Sequence, residues 1–276
     1  MGIVRYINLA SAWSRRQAME GNLGQVPRGR WHAKRFDAIG STNEQVQRLQ
    51  GRCSDKEKAT FLSHRLALVQ TAQHHPGQHV HILEDDALLG QRTYEILDRF
   101  LESEEAQKWD VVFTDIIVTR LQGMLDLLAQ RRELMAHHAV KTIDLAFLEF
   151  AALTSYVVNA ATADRVLFLM NSVTQLDEPV DLLVRRWIWT GQLRACVLFP
   201  FVTAVSSQAD HSQIQPTHTD PTAKIWNAYR NLVWLERDLA ISASDCQSVA
   251  ARVQDLESNL MGILCASMVS PHFRLM

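Results

Sequence analysis

Long apolar runs are missing from this 276-residue chain. No window approaches the roughly 20 apolar residues of a membrane span, which argues against a membrane-embedded protein. The opening run, MGIVRYINLA, is too short for the apolar part of a signal peptide, and Arg5 interrupts it. It also fails the myristoylation pattern, because Tyr6 stands where Ser or Thr is required. Cysteine is scarce as well. Cys53, Cys196, Cys246 and Cys265 are far apart and show no C-x-x-C spacing. That argues against a zinc ribbon or a disulfide framework and favours a reducing compartment. An excess of one charge is absent too, with 28 basic and 30 acidic residues and a net charge of −2. A general nucleic-acid binder is usually more basic, so no nucleic-acid partner is expected. The expected location is the cytoplasm, with peripheral contact to the inner face of a membrane left open. No internal repeat or low-complexity tract is present, and INLASAWSRR carries no glycine-rich phosphate loop of the kind a nucleotidyltransferase needs.

What is present is a chain that is 47% hydrophobic, ample for a packed core. Ile3 to Leu9 reads as a buried first strand, and Ser11 to Leu23 as a helix ending near Gly24 and Pro27. AKRFDAIG is a second strand, and the polar residues 41–55 read as a loop. Phe61, His64, Leu68 and Ala72 line one face of a helix that stops at Pro76 and Gly77. The strand HVHIL comes next, then a helix from about Arg92 to Glu102, then the strand WDVVFTD. ALTSYVVN and RACVLFPFV read as strands, and ATADRVLFLM and VDLLVRRWIW as helices. The alternation predicts an α/β fold with a mainly parallel mixed sheet covered by helices. Residues 206–221 read as a polar loop. We expect a domain over 1–221 and a helical C-terminal extension over 222–276 that packs on it. In that extension Val249, Val253, Leu256, Leu260 and Ile263 form a coiled-coil-like stripe. It suits packing on the chain's own core, with homo-oligomer formation or contact with a membrane surface as the alternatives.

The chemically informative stretch is HVHILEDDALLG, where Glu84, Asp85 and Asp86 come directly after an apolar strand. Ligands of open α/β sheets bind beyond the carboxyl ends of the strands. Side chains alternate along an extended segment, so Glu84 and Asp86 can point the same way. Two converging carboxylates suit a hard divalent cation such as magnesium (Mg2+) or manganese (Mn2+), which can bridge the phosphates of a nucleotide diphosphate. The alternative is a solvated acidic loop. Near the N-terminus Arg5, Arg15, Arg16, Arg28, Arg30, Lys34 and Arg35 outnumber Glu20 and Asp37, and some of them could hold phosphates. His79 and His81 alternate on one strand face and suit packing better than metal binding. Trp187 and Trp189, at helical spacing, suit the core better than a sugar platform.

Several stretches together resemble one family. They are INLASAWSRRQAME, KRFDAIG, FLSHRLAL, HVHILEDDA, TSYVVNAATADRVL, EPVDLLVRRW and RACVLFP, in the expected order over roughly residues 3–215. The family is glycosyltransferase family 25, the bacterial lipooligosaccharide galactosyltransferases and related collagen galactosyltransferases. The resemblance implies a GT-A-like fold, a UDP-sugar donor (usually UDP-galactose), a lipopolysaccharide or other glycan acceptor, lipid-linked or free, and inversion at the sugar carbon. By position it implies that Glu84 and Asp86 flank the metal and diphosphate, with Asp85 between them. Asn8 and Arg16 then fall at the nucleotide end, Ser63 and His64 match the S-H pair, and Asp181 falls where the acceptor enters. Inversion requires a general base. Asp181 is the first candidate and Asp177 the second, with Asp115 behind them; Asp181 could instead be a helix N-cap. Asp210 or His211 could close over a cation held by Asp86 and Glu84. The chain departs from the family at KEKATFL, where Gly-Glu-x-Gly-Cys is usual, at ASAWSRR, and at Leu182 and Leu183. Those departures leave a second reading open, a member that binds a nucleotide sugar or glycan as a partner subunit without turnover.

Overall fold

The computed structural model describes residues 2–206 and 221–237. Five strands, β1 (Gly2–Asn8), β2 (Trp31–Asp37), β3 (His79–Glu84), β5 (Val111–Phe113) and β10 (Ala195–Phe199), share one direction in a seven-stranded sheet. Two more, β7 (Lys141–Asp144) and β9 (Ser155–Val158), run against them. The order is β2-β1-β3-β9-β5-β10-β7. The fold is therefore the mixed α/β, GT-A-like one that the sequence predicts. The antiparallel insertion of β9 between β3 and β5 is what the alternation of elements did not disclose.

Both faces of the sheet are apolar, and the strand period of two divides them. Val80, Ile82, Ala195, Val197 and Phe199 join one core layer. Leu83, Cys196 and Leu198 join the other. On the second face lie α1 (Trp13–Gln25), through Met19 and Leu23, and α4 (Thr93–Leu101), through Tyr94, Ile96 and Leu97. On the first face lie α3 (Asp55–His74), α5 (Leu121–Ala136), α6 (Ala163–Ser172) and α7 (Val180–Trp189). A capping box starts α3: Ser54 Oγ accepts from Glu57 N–H while the Glu57 carboxylate accepts from Ser54 N–H.

Two short antiparallel pairs stand at the edge of the strand ends. One joins β4 (Ala87–Leu89) to β11 (Thr203–Val205), and the other joins β6 (Ile117–Val118) to β8 (Phe150–Ala151). The last described helix, α8 (Pro221–Val233), sends Ile225, Tyr229, Leu232 and Val233 into the first core layer. Beyond it, Leu235 N–H donates to the Phe201 carbonyl at 2.8 Å. The Glu236 carboxylate accepts from Gln91 N–H and Arg92 N–H, 2.7 and 2.8 Å, just ahead of α4. It lies so close to Gly90 that a Cβ there would collide with it.

Some local expectations need correction. Residues 41–55 are not all loop, because Asn43 caps a short helix, α2 (Glu44–Arg48), by accepting from Gln45 N–H. Asp181 is not an N-cap; Pro179 holds that position and Asp181 lies in the first turn of α7. Trp187 is buried as expected, but Trp189 is half-exposed, with the Arg185 guanidinium over its ring. His81 packs in the core against Trp31 and Tyr94, and the His79 ring accepts from Ala160 N–H. The stripe from Val249 to Ile263 lies outside the described residues.

Candidate active site

The neighbouring strands β1 and β3 end side by side, with Ile7 opposite Glu84. Beyond their carboxyl ends lies a cavity of about 410 Å³. One wall is Ser11, just ahead of α1, with Arg15 of its first turn; another is residues 38–42 after β2; a third is α3, with Lys56, Ser63 and His64. Glu84, Asp85 and Asp86 form its floor.

The three acids have different fates. Asp85 is saturated: Oδ1 accepts from Arg15 Nη1 at 2.7 Å and Oδ2 from Asn8 Nδ2 at 2.7 Å. Burial raises it above the ordinary carboxylate range, against the pull of Arg15 and the Asn8 amide. Asp86 Oδ2 accepts from Arg15 Nη2 at 2.9 Å, but its Oδ1 is buried without a partner among the described residues. Burial, with the Glu84 charge adding to it, pushes Asp86 up to about 6. Glu84 keeps about 30% of its side chain exposed, and its Oε1 lies 3.4 Å from His64 Nε2. Burial would raise Glu84, yet the His64 hydrogen bond, with Arg230 and Arg15 nearby, brings it below its ordinary value. Glu84 is thus the acid most firmly kept ionised, and Asp86 is the one with an unanswered oxygen.

The α3 wall is built from behind. His64 is buried, stacked on Tyr156, and its Nδ1 lies 3.0 Å from the Tyr156 hydroxyl. Tyr156–His64–Glu84 is therefore a continuous polar chain that ends in the cavity. Burial pushes the Tyr156 phenol up, so it remains a neutral donor or acceptor. Ser63 does not reach for a ligand. Its Oγ donates to the Ala59 carbonyl and accepts from Ile39 N–H, both at 2.8 Å, which fixes the 38–42 wall to α3.

Among the described residues, the remaining sequence candidates fall outside the cavity walls. Asn8 is 1% exposed and divides its polar atoms among Asp85, the Ala12 carbonyl and Arg35. Arg16 pairs with Glu20 at 2.9 Å on the exposed side of α1, and its neighbour Arg15 is the one that turns to the acids. Asp181 Oδ2 accepts from Ala152 N–H at 3.0 Å, and Asp177 Oδ1 accepts from Arg52 N–H at 3.0 Å. Asp115 is buried and paired with Arg230 of α8. Asp210 and His211 lie outside the described residues. Among the described residues no three His, Cys, Asp or Glu side chains gather as a metal site. Sequence reasoning did not single out Tyr156, Lys56 or Arg230. A helical phase started from Ser14 could have separated Arg15 from Arg16, whereas nothing local announces Arg230.

A mixed sheet with five strands one way, carrying acids at a strand end on the floor of a cavity, is the architecture of the GT-A-like class. The particular family comes from comparison. The model of glycosyltransferase family 25 (LPS biosynthesis protein) matches residues 3–184, about two thirds of the chain. The chain belongs to glycosyltransferase family 25 and is a glycosyltransferase. Comparison with curated proteins gives no match. The matched span ends inside α7, so Arg185 and all of α8 lie beyond it.

Proposed function

We propose that the protein transfers a hexose, galactose from UDP-galactose, onto a lipopolysaccharide, lipooligosaccharide or other glycan acceptor, with inversion and with a divalent cation. The observation that carries this reading is the cavity floor, where Glu84 and the unanswered Asp86 Oδ1 lie together at the end of β3. A buried carboxylate oxygen with no donor suits a hard cation. Glu84 and Asp86 would hold manganese or magnesium, with His211 as a further ligand, and the ion would offset the charge on the departing diphosphate.

The chain's own residues supply the rest. Arg15 offsets the mutual repulsion of Asp85 and Asp86 and fixes their planes. His64 orients Glu84, and Lys56 brings a positive charge to the wall that the phosphates would meet. The acceptor oxygen attacks the anomeric carbon as its proton leaves to a base and the diphosphate departs from the opposite face. A lipid-linked acceptor would bring the enzyme to the inner face of the membrane from the cytoplasm. No helix among the described residues is long and apolar enough to cross that membrane.

The test is turnover of UDP-sugars with manganese, with Asp86→Ala as control, beside a thermal-shift screen of the same donors. UDP-galactose consumption that needs both the metal and Asp86, and donor stabilisation that needs the metal, are the expected results. Absence of turnover with every UDP-sugar would sink the transfer reading and leave nucleotide-sugar binding by a partner subunit.

A further inference from the structure

Asp181 and Arg185 lie one turn apart on α7, and both reach the same short piece of backbone. Arg185 Nη1 donates to the Phe150 carbonyl at 2.9 Å, and Asp181 Oδ2 accepts from Ala152 N–H at 3.0 Å. Residues four apart share a helix face, so the two side chains act as a pair. The backbone they hold is unusual. Ala152 has φ of +77°, a left-handed conformation that a residue with a Cβ adopts only when its surroundings enforce it.

The segment after Ala152 forms the backing of the site. The Thr154 carbonyl accepts from Glu84 N–H at 2.8 Å. Ser155 pairs with Leu83 in the sheet, and its carbonyl accepts from Thr114 N–H at 3.2 Å. Tyr156 then meets His64, which faces Glu84. Residues 152–156 thus set Glu84 twice, once through its own backbone and once through its side chain.

We propose that Asp181, with Arg185, is a positioning clamp for Glu84. It holds the left-handed turn at Ala152 and so fixes the carboxylate that faces the donor. Asp181 acts through its hydrogen bond and not as the proton acceptor of the transfer. The kinetic part of this inference rests on the hexose-transfer reading above. The distinction is testable because accepting an N–H needs only an oxygen, which asparagine also offers, whereas accepting a proton needs the carboxylate.

The experiment uses the full chain and compares Asp181→Ala, Asp181→Asn, and Asp181→Ala combined with Ala152→Gly. It measures kcat and KM for UDP-galactose with manganese, the pH profile of kcat, and amide hydrogen exchange at Ala152 and Glu84. Asp181→Ala should lower kcat by about 10- to 100-fold, since small misplacements of a reacting group cost that much. Asp181→Asn should stay within about threefold of the parent and keep its acid limb, because the hydrogen bond survives. Glycine adopts positive φ freely, so Ala152→Gly should restore most of the loss. The Glu84 amide should exchange faster in Asp181→Ala alone. If Asp181→Asn folds but falls as far as Asp181→Ala, or loses the acid limb, Asp181 is the base and the clamp is overturned. An unchanged Glu84 exchange rate in Asp181→Ala overturns it as well. If the parent protein turns over no UDP-sugar, the transfer reading fails and exchange alone decides the clamp.

Discussion

Two strands of the sheet, β3 and β5, end in acids, and the two ends are used in opposite ways. After β3, Glu84 faces a cavity and Asp86 keeps one oxygen without a donor among the described residues. After β5, Asp115 is 1% exposed and its Oδ2 accepts from both Nε and Nη2 of Arg230, itself 3% exposed. In sequence the two look alike, a short apolar strand and then a carboxylate. What separates them is the partner that the fold brings opposite. Arg15, close behind β1, supplies two hydrogen bonds to the acids of β3 and leaves the floor open. Arg230, 115 residues from Asp115, closes the other end from α8. Each of the two, Asp86 and Asp115, keeps its Oδ1 without a donor among the described residues, and burial raises both, but only Asp86 lines the cavity.

The largest effect should come from opening the closed end. Arg230→Ala leaves Asp115 buried and uncompensated, which typically destabilises by about 3–5 kcal/mol. Denaturant unfolding should show that loss, while Asp115→Asn with Arg230→Met, which removes both charges, should recover most of it. If the single and double variants were equally unstable, the pair would be a product of packing, and the contrast with β3 would dissolve.

The next effect concerns pH at the open end. Asp86 has a folded value of about 6 against an ordinary 3.8. Between those values the unfolded chain releases its proton while the folded protein keeps it. The contribution of Asp86 to the stability of the metal-free protein therefore falls as pH rises from about 4 to 6 and is flat above. Two units correspond to at most about 3 kcal/mol, part of which belongs to the Glu84 charge beside it. Asp86→Asn cannot ionise, so its advantage over the parent should grow through that window in chelator. A constant difference from pH 4 to 7 would show that Asp86 is not strained.

Arg15→Ala comes third, at about 2 kcal/mol, because it takes the charged donor from two buried oxygens, Asp85 Oδ1 and Asp86 Oδ2. Its effect on turnover should exceed its effect on stability, by about 100-fold in kcat, since a preorganised charge at the site is removed. Equal losses at Arg15 and Arg230 in both assays would erase the difference between the two strand ends.

How much of this could be read from residues alone differs in kind along the chain. The strand-end acids were legible because alternation and an apolar run are local, and the S-H pair because it carries a family pattern. The β9 insertion was not legible, since a four-residue apolar strand reads the same in either direction. The helix α5 and strands β6–β8, between the clearer elements, left no expectation at all; α5 has apolar residues on more than one face. Arg230 and the Ala152 turn were illegible for another reason. Both depend on long-range contacts, one across 115 residues and one across 29. Asp181 was found as a residue but not as a geometry.

The smallest effect is the sharpest check on the open end, because it concerns two adjacent arginines. Arg15 is largely buried, its side chain 12% exposed, against Asp85 and Asp86. Arg16 points along α1 to Glu20, both nearly half-exposed, an i,i+4 pair screened by solvent. Successive helix positions turn about 100° from each other, so one of the two must leave the cavity when the other enters it. Arg16→Ala should therefore shift the unfolding midpoint barely beyond error and change the KM for UDP-galactose less than about twofold, the scale of a lost exposed pair. A KM rise of about tenfold or more, equivalent to about 1.4 kcal/mol of donor binding, with folding intact would mean that the donor rotates the start of α1. Arg16 would then join Arg15 at the nucleotide end, as its position in the family pattern implies, and the open end would be only half formed before the donor arrives.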